Sequence, residues 1–120
     1  LREIETPDLT PRSGQEAAER LLAELPEAIF CANDLLAMGV LRALLQQGVR
    51  VPERVLLTGY DDIEFATAAA VQLTSVRQPT YQLGRIAAEL LLDECDNAAD
   101  HAHQQILFQP ELIVRDSTTR

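Results

Sequence analysis

Val55-Leu56-Leu57-Thr58-Gly59-Tyr60-Asp61-Asp62 is an apolar run cut off by a glycine and followed at once by two carboxylates. A short apolar run closed by turn residues reads as a buried strand. Gly59 allows the backbone to turn or to approach a neighbour closely. Asp61 and Asp62 then fall just past the carboxyl end of the strand, where open α/β sheets hold ligands.

Upstream, the pattern repeats. Ala28-Ile29-Phe30-Cys31-Ala32 is a second continuous apolar run, read as a strand buried on both faces. Asn33-Asp34 follows it as Asp61-Asp62 follows the first. A helix is expected over 35–47, with Asp34 as its cap and Gly48 as its stop. Its apolar residues, Leu35, Leu36, Met38, Val40, Leu41, Leu44 and Leu45, spread over more than one face. One face can cover a sheet; the remainder needs a second burial surface, such as another protomer. Before the first strand, Thr10-Pro11 starts a helix whose stripe is Ala17, Ala18, Leu21, Leu22 and Leu25, ended by Pro26. Residues 1–9 read as the tail of a strand and a loop.

Downstream, Asp62 is expected to cap a short helix over 63–70. Residues 73–76 read as a short strand or extended crossing. Leu83, Ile86, Ala87, Leu90 and Leu91 then mark a helix that starts at Pro79. A polar loop fills 96–103. Late strands are expected at 106–108 and 112–114, and the polar tail 116–120 is expected to fray. This alternation predicts an α/β fold with a parallel sheet built from crossovers. Nothing in it marks an internal repeat or a linker.

Composition narrows the function. The 120 residues suit one domain, and 47% hydrophobic content supplies a core. The net charge is −9 without a basic cluster, so the chain is not expected to hold a nucleic-acid backbone by itself. All ten cationic side chains are arginine, which excludes Schiff-base and phosphate-loop lysines. Cys31 and Cys95 sit in apolar segments without paired spacing and read as buried small hydrophobes of a reducing compartment. No run is long enough to span a membrane. The chain starts at Leu1 and its only methionine is Met38, so it reads as a fragment whose upstream part, with any leader, lies elsewhere.

Chemistry concentrates on the two polar pairs. In a parallel sheet both strands end on one rim. If the second residue of each pair caps a helix, the first is left over to face that rim. Asn33 offers donor and acceptor and Asp61 acceptors only, a set suited to a ligand with several hydroxyls or exocyclic amines. Asparagine and aspartate are also common after strands as caps and turn formers, so these residues leave both roles open. Catalysis by the aspartates lacks a lysine, a further acid or a metal ligand to work with. His101 and His103, with Asp100 nearby, read as a solvated loop rather than a metal site. No nucleophile elbow or phosphate loop is present. No metal, no cofactor and no enzymatic activity are expected. Gln78, before Pro79, lies at a crossing into a helix.

Several of these segments together resemble one family. They are Ala28-Ile29-Phe30-Cys31-Ala32-Asn33-Asp34, Met38-Gly39, Gly48-Val49-Arg50-Val51-Pro52 and Gly59-Tyr60-Asp61-Asp62. Leu73-Thr74-Ser75-Val76-Arg77-Gln78-Pro79, Leu83-Gly84 and the ending from Pro110 to Thr118 continue the series. In order and spacing they resemble the LacI/GalR family of bacterial transcription regulators. The resemblance implies the distal part of an effector-binding domain of the periplasmic-binding-protein-like type I fold, with two α/β subdomains around a cleft. Residues 1–72 would belong to the C-terminal subdomain and 73–78 to a crossing strand. Residues 79–108 would be an N-terminal-subdomain element, and 109–120 the final crossing strand and tail. By the same resemblance Asn33 and Asp61 bind the effector and Gln78 lines the cleft. The position of Leu9 is usually aromatic in the family; leucine here weakens ring stacking. Met38, Ala68 and Ala69 match the family's dimer surface. A small sugar, polyol or nucleobase effector, a homodimer and a cytoplasmic location are implied. Operator DNA would be met only through a headpiece that these residues do not include. The alternative that shares the fold is a periplasmic sugar-binding protein of an ABC transporter; the Arg77-Gln78-Pro79 and 113–118 segments favour the regulator.

Overall fold

The computed structural model describes residues 1–97 and 102–120. They form two compact units: Leu1–Arg77 with Leu112–Arg120, and Gln78–Glu111.

In the first unit β1 (Ala28–Phe30) and β2 (Leu56–Thr58) pair in parallel, with Ile29 opposite Leu57. A parallel bridge joins Thr58 to Thr74. Gly59 N–H donates to the Thr74 carbonyl and Asp61 N–H to that of Val76, both at 2.9 Å. So β3 (Ser75–Arg77) runs beside the end of β2, and β4 (Glu111–Ile113) pairs with β3. The parallel crossover expected from the alternation is present.

The helix α1 (Pro11–Glu19) starts as the sequence predicts: the Thr10 hydroxyl accepts from Ser13 N–H. It ends earlier than Pro26 requires. Beyond Glu19 the backbone closes into i→i+3 bonds, such as Leu21 N–H to the Ala18 carbonyl at 2.8 Å, and Leu21 still reaches the core. The second helix, α2 (Asp34–Gln46), stops where Gly48 takes a left-handed φ of 70°. A third, α3, is a single turn at Phe65–Ala68, shorter than the expected 63–70.

Leu44, Leu57, Val55 and Leu73 are fully buried, with Leu41, Val40, Cys31 and Ala66 around them. Full burial of each such leucine or valine contributes about 1.5–3 kcal/mol. The second apolar face of α2 is met largely within the chain, by α1. A Cβ on Gly14 would collide with the Leu36 carbonyl, and one on Gly39 with that of Pro11. Two glycines thus bring two helix backbones together. Leu35 and Leu45 stay exposed and Met38 half-buried.

The first strand is not buried on both faces. Ile29 and Cys31 face the core, but Phe30 on the opposite face is 66% exposed. A groove of about 740 Å³ runs along this edge between α1 and residues 1–6, which form no strand.

The tail does not fray. Asp116–Thr118 form a short 3-10 helix with Ser117 fully buried. The Ser117 hydroxyl donates to the Leu57 carbonyl at 2.6 Å and accepts Thr74 N–H at 2.8 Å. It stitches β2 to the segment before β3. A polar tail reads as loose, but these hydroxyls serve buried backbone groups that would otherwise lack partners.

The second unit holds α4 (Thr80–Asp96), with no buried residue. Cys95, expected to be buried, is exposed there. Residues 106–108 are not a strand.

Candidate functional site

The carboxyl ends of β1 and β2 lie on one rim, as parallel pairing requires. Asp34 N–H donates to the Tyr60 carbonyl at 2.8 Å, which ties the two polar pairs together. Their division of labour differs from the expected one.

Asn33, not Asp34, caps α2. Its Oδ1 accepts Leu36 N–H at 2.9 Å and its Nδ2 donates to the Leu9 carbonyl at 3.2 Å. The structure therefore brings Asn33 and Leu9 together, through the Leu9 backbone. Leu9 itself is half-exposed and Asn33 is nearly covered.

Asp34 turns inward and is fully buried. Its Oδ1 accepts the Ser75 hydroxyl at 2.7 Å and its Oδ2 accepts Ile63 N–H at 2.9 Å. Burial pushes its carboxyl up. The Ser75 and Ile63 bonds work against this, and Asp62 and Asp61 add to it. A Cβ on Gly59 would strike Asp34 Oδ1. The glycine that punctuates the strand is there to admit this carboxylate.

Asp61 and Asp62 both occupy left-handed backbone, with φ of 98° and 52°. For residues with a side chain such geometry costs on the order of 1–3 kcal/mol each and gathers at functional sites. Asp61 is half-buried.

Asp62 caps no helix, because α3 starts only at Phe65 after Glu64. Its carboxylate, 4% exposed, meets Arg77 at 2.6 Å on Oδ2 and Arg115 at 2.6 Å on Oδ1. Burial pushes this carboxyl up, yet the Arg115 and Arg77 guanidiniums outweigh burial and hold it below the usual range. Arg115 also donates to the Leu73 carbonyl at 2.7 Å. Ser75, Arg77 and Arg115 are members of this rim that the sequence pattern does not reveal. No local signal marks them, since each acts across a long sequence separation.

Gln78 begins the second unit, directly after β3. Met38 is half-buried on α2, Ala68 exposed and Ala69 half-buried. Cys31 is buried, and burial with the nearby Asp34 charge pushes its thiol up to about 12. It stays protonated and unreactive at neutral pH. Asp100 and His101 lie outside the described residues, and His103 is exposed. Among the described residues no cluster of three metal-ligating side chains occurs. No described helix is long and apolar enough to cross a membrane.

The model of the periplasmic binding protein-like domain family matches residues 2–118. The chain belongs to that family. As a periplasmic binding protein-like domain it is 41% identical over 111 residues to the HTH-type transcriptional repressor PurR of Haemophilus influenzae, covering 89% of this chain and 33% of that protein. It superposes on the transcriptional regulator CelR–cellobiose complex with a TM-score of 0.83 at 40% identity, over 92% of this chain and 34% of that one. Its TM-score to the lac repressor dimer bound to operator and the anti-inducer ONPF is 0.82 at 31% identity, over 92% and 39% of the two chains. The likeness to LacI-type regulators expected from the motifs is thus borne out in sequence and in fold. The chain spans about a third of the length of the curated relatives it matches.

Proposed function

We propose that this periplasmic binding protein-like chain is the effector-sensing part of a cytoplasmic transcription regulator of LacI/GalR type. It is not an enzyme in this reading. A small sugar, polyol or nucleobase binds at the rim and changes how a separate headpiece fits operator DNA. A ligand can shift that equilibrium only through unequal affinity for the two states.

The observation that carries the reading is the Asp61 carboxylate on left-handed backbone at the carboxyl ends of parallel strands. Relatives named as transcription regulators support the reading. Asp61 accepts hydrogen bonds from ligand hydroxyls or amines. Asn33 contributes its second amide hydrogen and its remaining lone pair, since one of each is already engaged. Leu9 supplies an apolar edge, and Gln78 enters from the motif resemblance alone. Residues 1–72 correspond to a C-terminal subdomain, 73–78 to a crossing strand, 79–108 to an N-terminal-subdomain element, and 109–120 to the last crossing strand and tail.

A homodimer completes the reading. Leu35, Met38 and Leu45 fall on one face of α2 at helical spacing, and Leu35 and Leu45 are exposed. With Ala68, Ala69 and the exposed Phe65 they supply apolar surface for a second copy. Light scattering should report a dimer; a monomer at high concentration overturns this part.

A thermal-shift screen of sugars, polyols and nucleobases on the intact protein tests the sensor reading. A hit should be lost in Asp61→Ala while operator binding persists. An undiminished shift in that variant refutes the role given to Asp61.

A further inference from the structure

We propose that Asp34 and Ser75 are positioning residues for Asp61. Together they lock the 61–63 turn so that the Asp61 carboxylate is presented at the rim before any ligand arrives. The proposal rests on the effector-contact role given to Asp61 above and adds the device that holds it in place.

The geometry is a relay of hydrogen bonds. Asp62 N–H donates to Ser75 Oγ at 3.0 Å, and Ser75 Oγ–H donates to Asp34 Oδ1 at 2.7 Å. Ile63 N–H donates to Asp34 Oδ2 at 2.9 Å. The backbone on the C-terminal side of Asp61 is therefore held by two amides that end on one buried carboxylate. On the other side, Asp61 N–H donates to the Val76 carbonyl and Asp34 N–H to that of Tyr60.

Left-handed backbone at two successive aspartates persists only where surrounding contacts over-determine it. Here the contacts come from two separate elements, the start of α2 and β3. Asp34 and Ser75 are both fully covered, so neither has solvent as a substitute partner. A charged acceptor strengthens both bonds it receives. Gly59 completes the arrangement by leaving room for Oδ1. A carboxylate that only capped α2 would need none of this, and the cap is already supplied by Asn33.

The test uses the intact protein with Ser75→Ala, and with Asp34→Asn as an independent second variant. The first readout needs no ligand. In crystal structures of the variants, Asp61 and Asp62 should leave φ values near 98° and 52° while the β1–β2 pairing is retained. Retention of both angles in both variants overturns the proposal. The second readout is a double-mutant cycle with D-ribose, cellobiose, L-arabinose and guanine as probes, run on whichever of them binds. Ser75→Ala should weaken the Kd about tenfold when Asp61 is present, the scale of losing a bond to a charged group. It should leave the Kd nearly unchanged in the Asp61→Ala background. Equal losses in both backgrounds show a general structural role and overturn positioning. If Asp61→Ala alone leaves the Kd unchanged, the contact role of Asp61 is what fails, and the backbone angles alone then decide whether the lock exists.

Discussion

Asp62→Asn removes one negative charge from between two guanidinium groups and keeps the side chain's shape. The carboxylate is 4% exposed and Arg115 is 11% exposed, so water screens that contact little. Breaking it costs about 2–3 kcal/mol. Arg77 is 52% exposed, and a pair of that kind contributes about 0.5 kcal/mol. The expected loss of folding stability near neutral pH is about 3 kcal/mol. It stays below the cost of a wholly stranded charge because Arg115 keeps its bond to the Leu73 carbonyl. Urea unfolding of wild type and variant at matched pH measures it. The pH dependence is a second check. The Asp62 carboxyl lies below its ordinary 3.8 in the folded state. Such a group contributes stability that is present above the unfolded value and is lost as pH falls through the folded one. The difference between the two proteins should be flat above about pH 5 and close in more acid solution. A difference under about 0.5 kcal/mol at neutrality, or one that does not narrow on acidification, refutes the ion-pair account.

Ser117→Ala leaves the Leu57 carbonyl and Thr74 N–H buried without their shared partner. It should cost about 2–4 kcal/mol by urea unfolding, against under about 0.5 kcal/mol for the exposed Thr119→Ala. Similar midpoints for the two variants would show that the tail adds little. Gly59→Ala drives a methyl into Asp34 Oδ1 and to 3.1 Å from a Leu73 methyl. The expected loss is about 1–3 kcal/mol, read from the thermal midpoint, and a variant as stable as wild type contradicts the tight fit. Thiol titration at mildly alkaline pH should find Cys95 reacting at once and Cys31 only after unfolding, since one is exposed and the other buried with its thiol raised to about 12. Two fast thiols in the native protein would refute that contrast.

Much of the architecture was legible because it is local. Thr10-Pro11 caps and opens α1, Gly48 closes α2, and apolar runs followed by polar pairs mark β1 and β2. What was misread depended on distant chain. The exposed face of β1 is invisible to a rule that equates a continuous apolar run with burial on both sides. The second burial surface of α2, left open in the sequence, is largely α1, because glycines on both helices let the two backbones approach. Polarity marks the tail as loose, whereas its hydroxyls serve buried backbone.

By itself the sequence determined an α/β fold, the strand–helix alternation from α1 to α4, and two polar pairs on one rim. It also placed the chain by motif near the LacI-type regulators. Only the tertiary structure decided which member of each pair does what. Asn33 caps while Asp34 holds the neighbouring turn; Asp61 sits on strained backbone while Asp62 is locked by arginines. The physical reason is range. Either member of an Asn-Asp or Asp-Asp pair can cap a helix, and the fold decides which side chain turns inward instead. A buried carboxylate is satisfied by whatever donors the fold delivers, and for Asp34 the Ser75 donor lies 41 residues away.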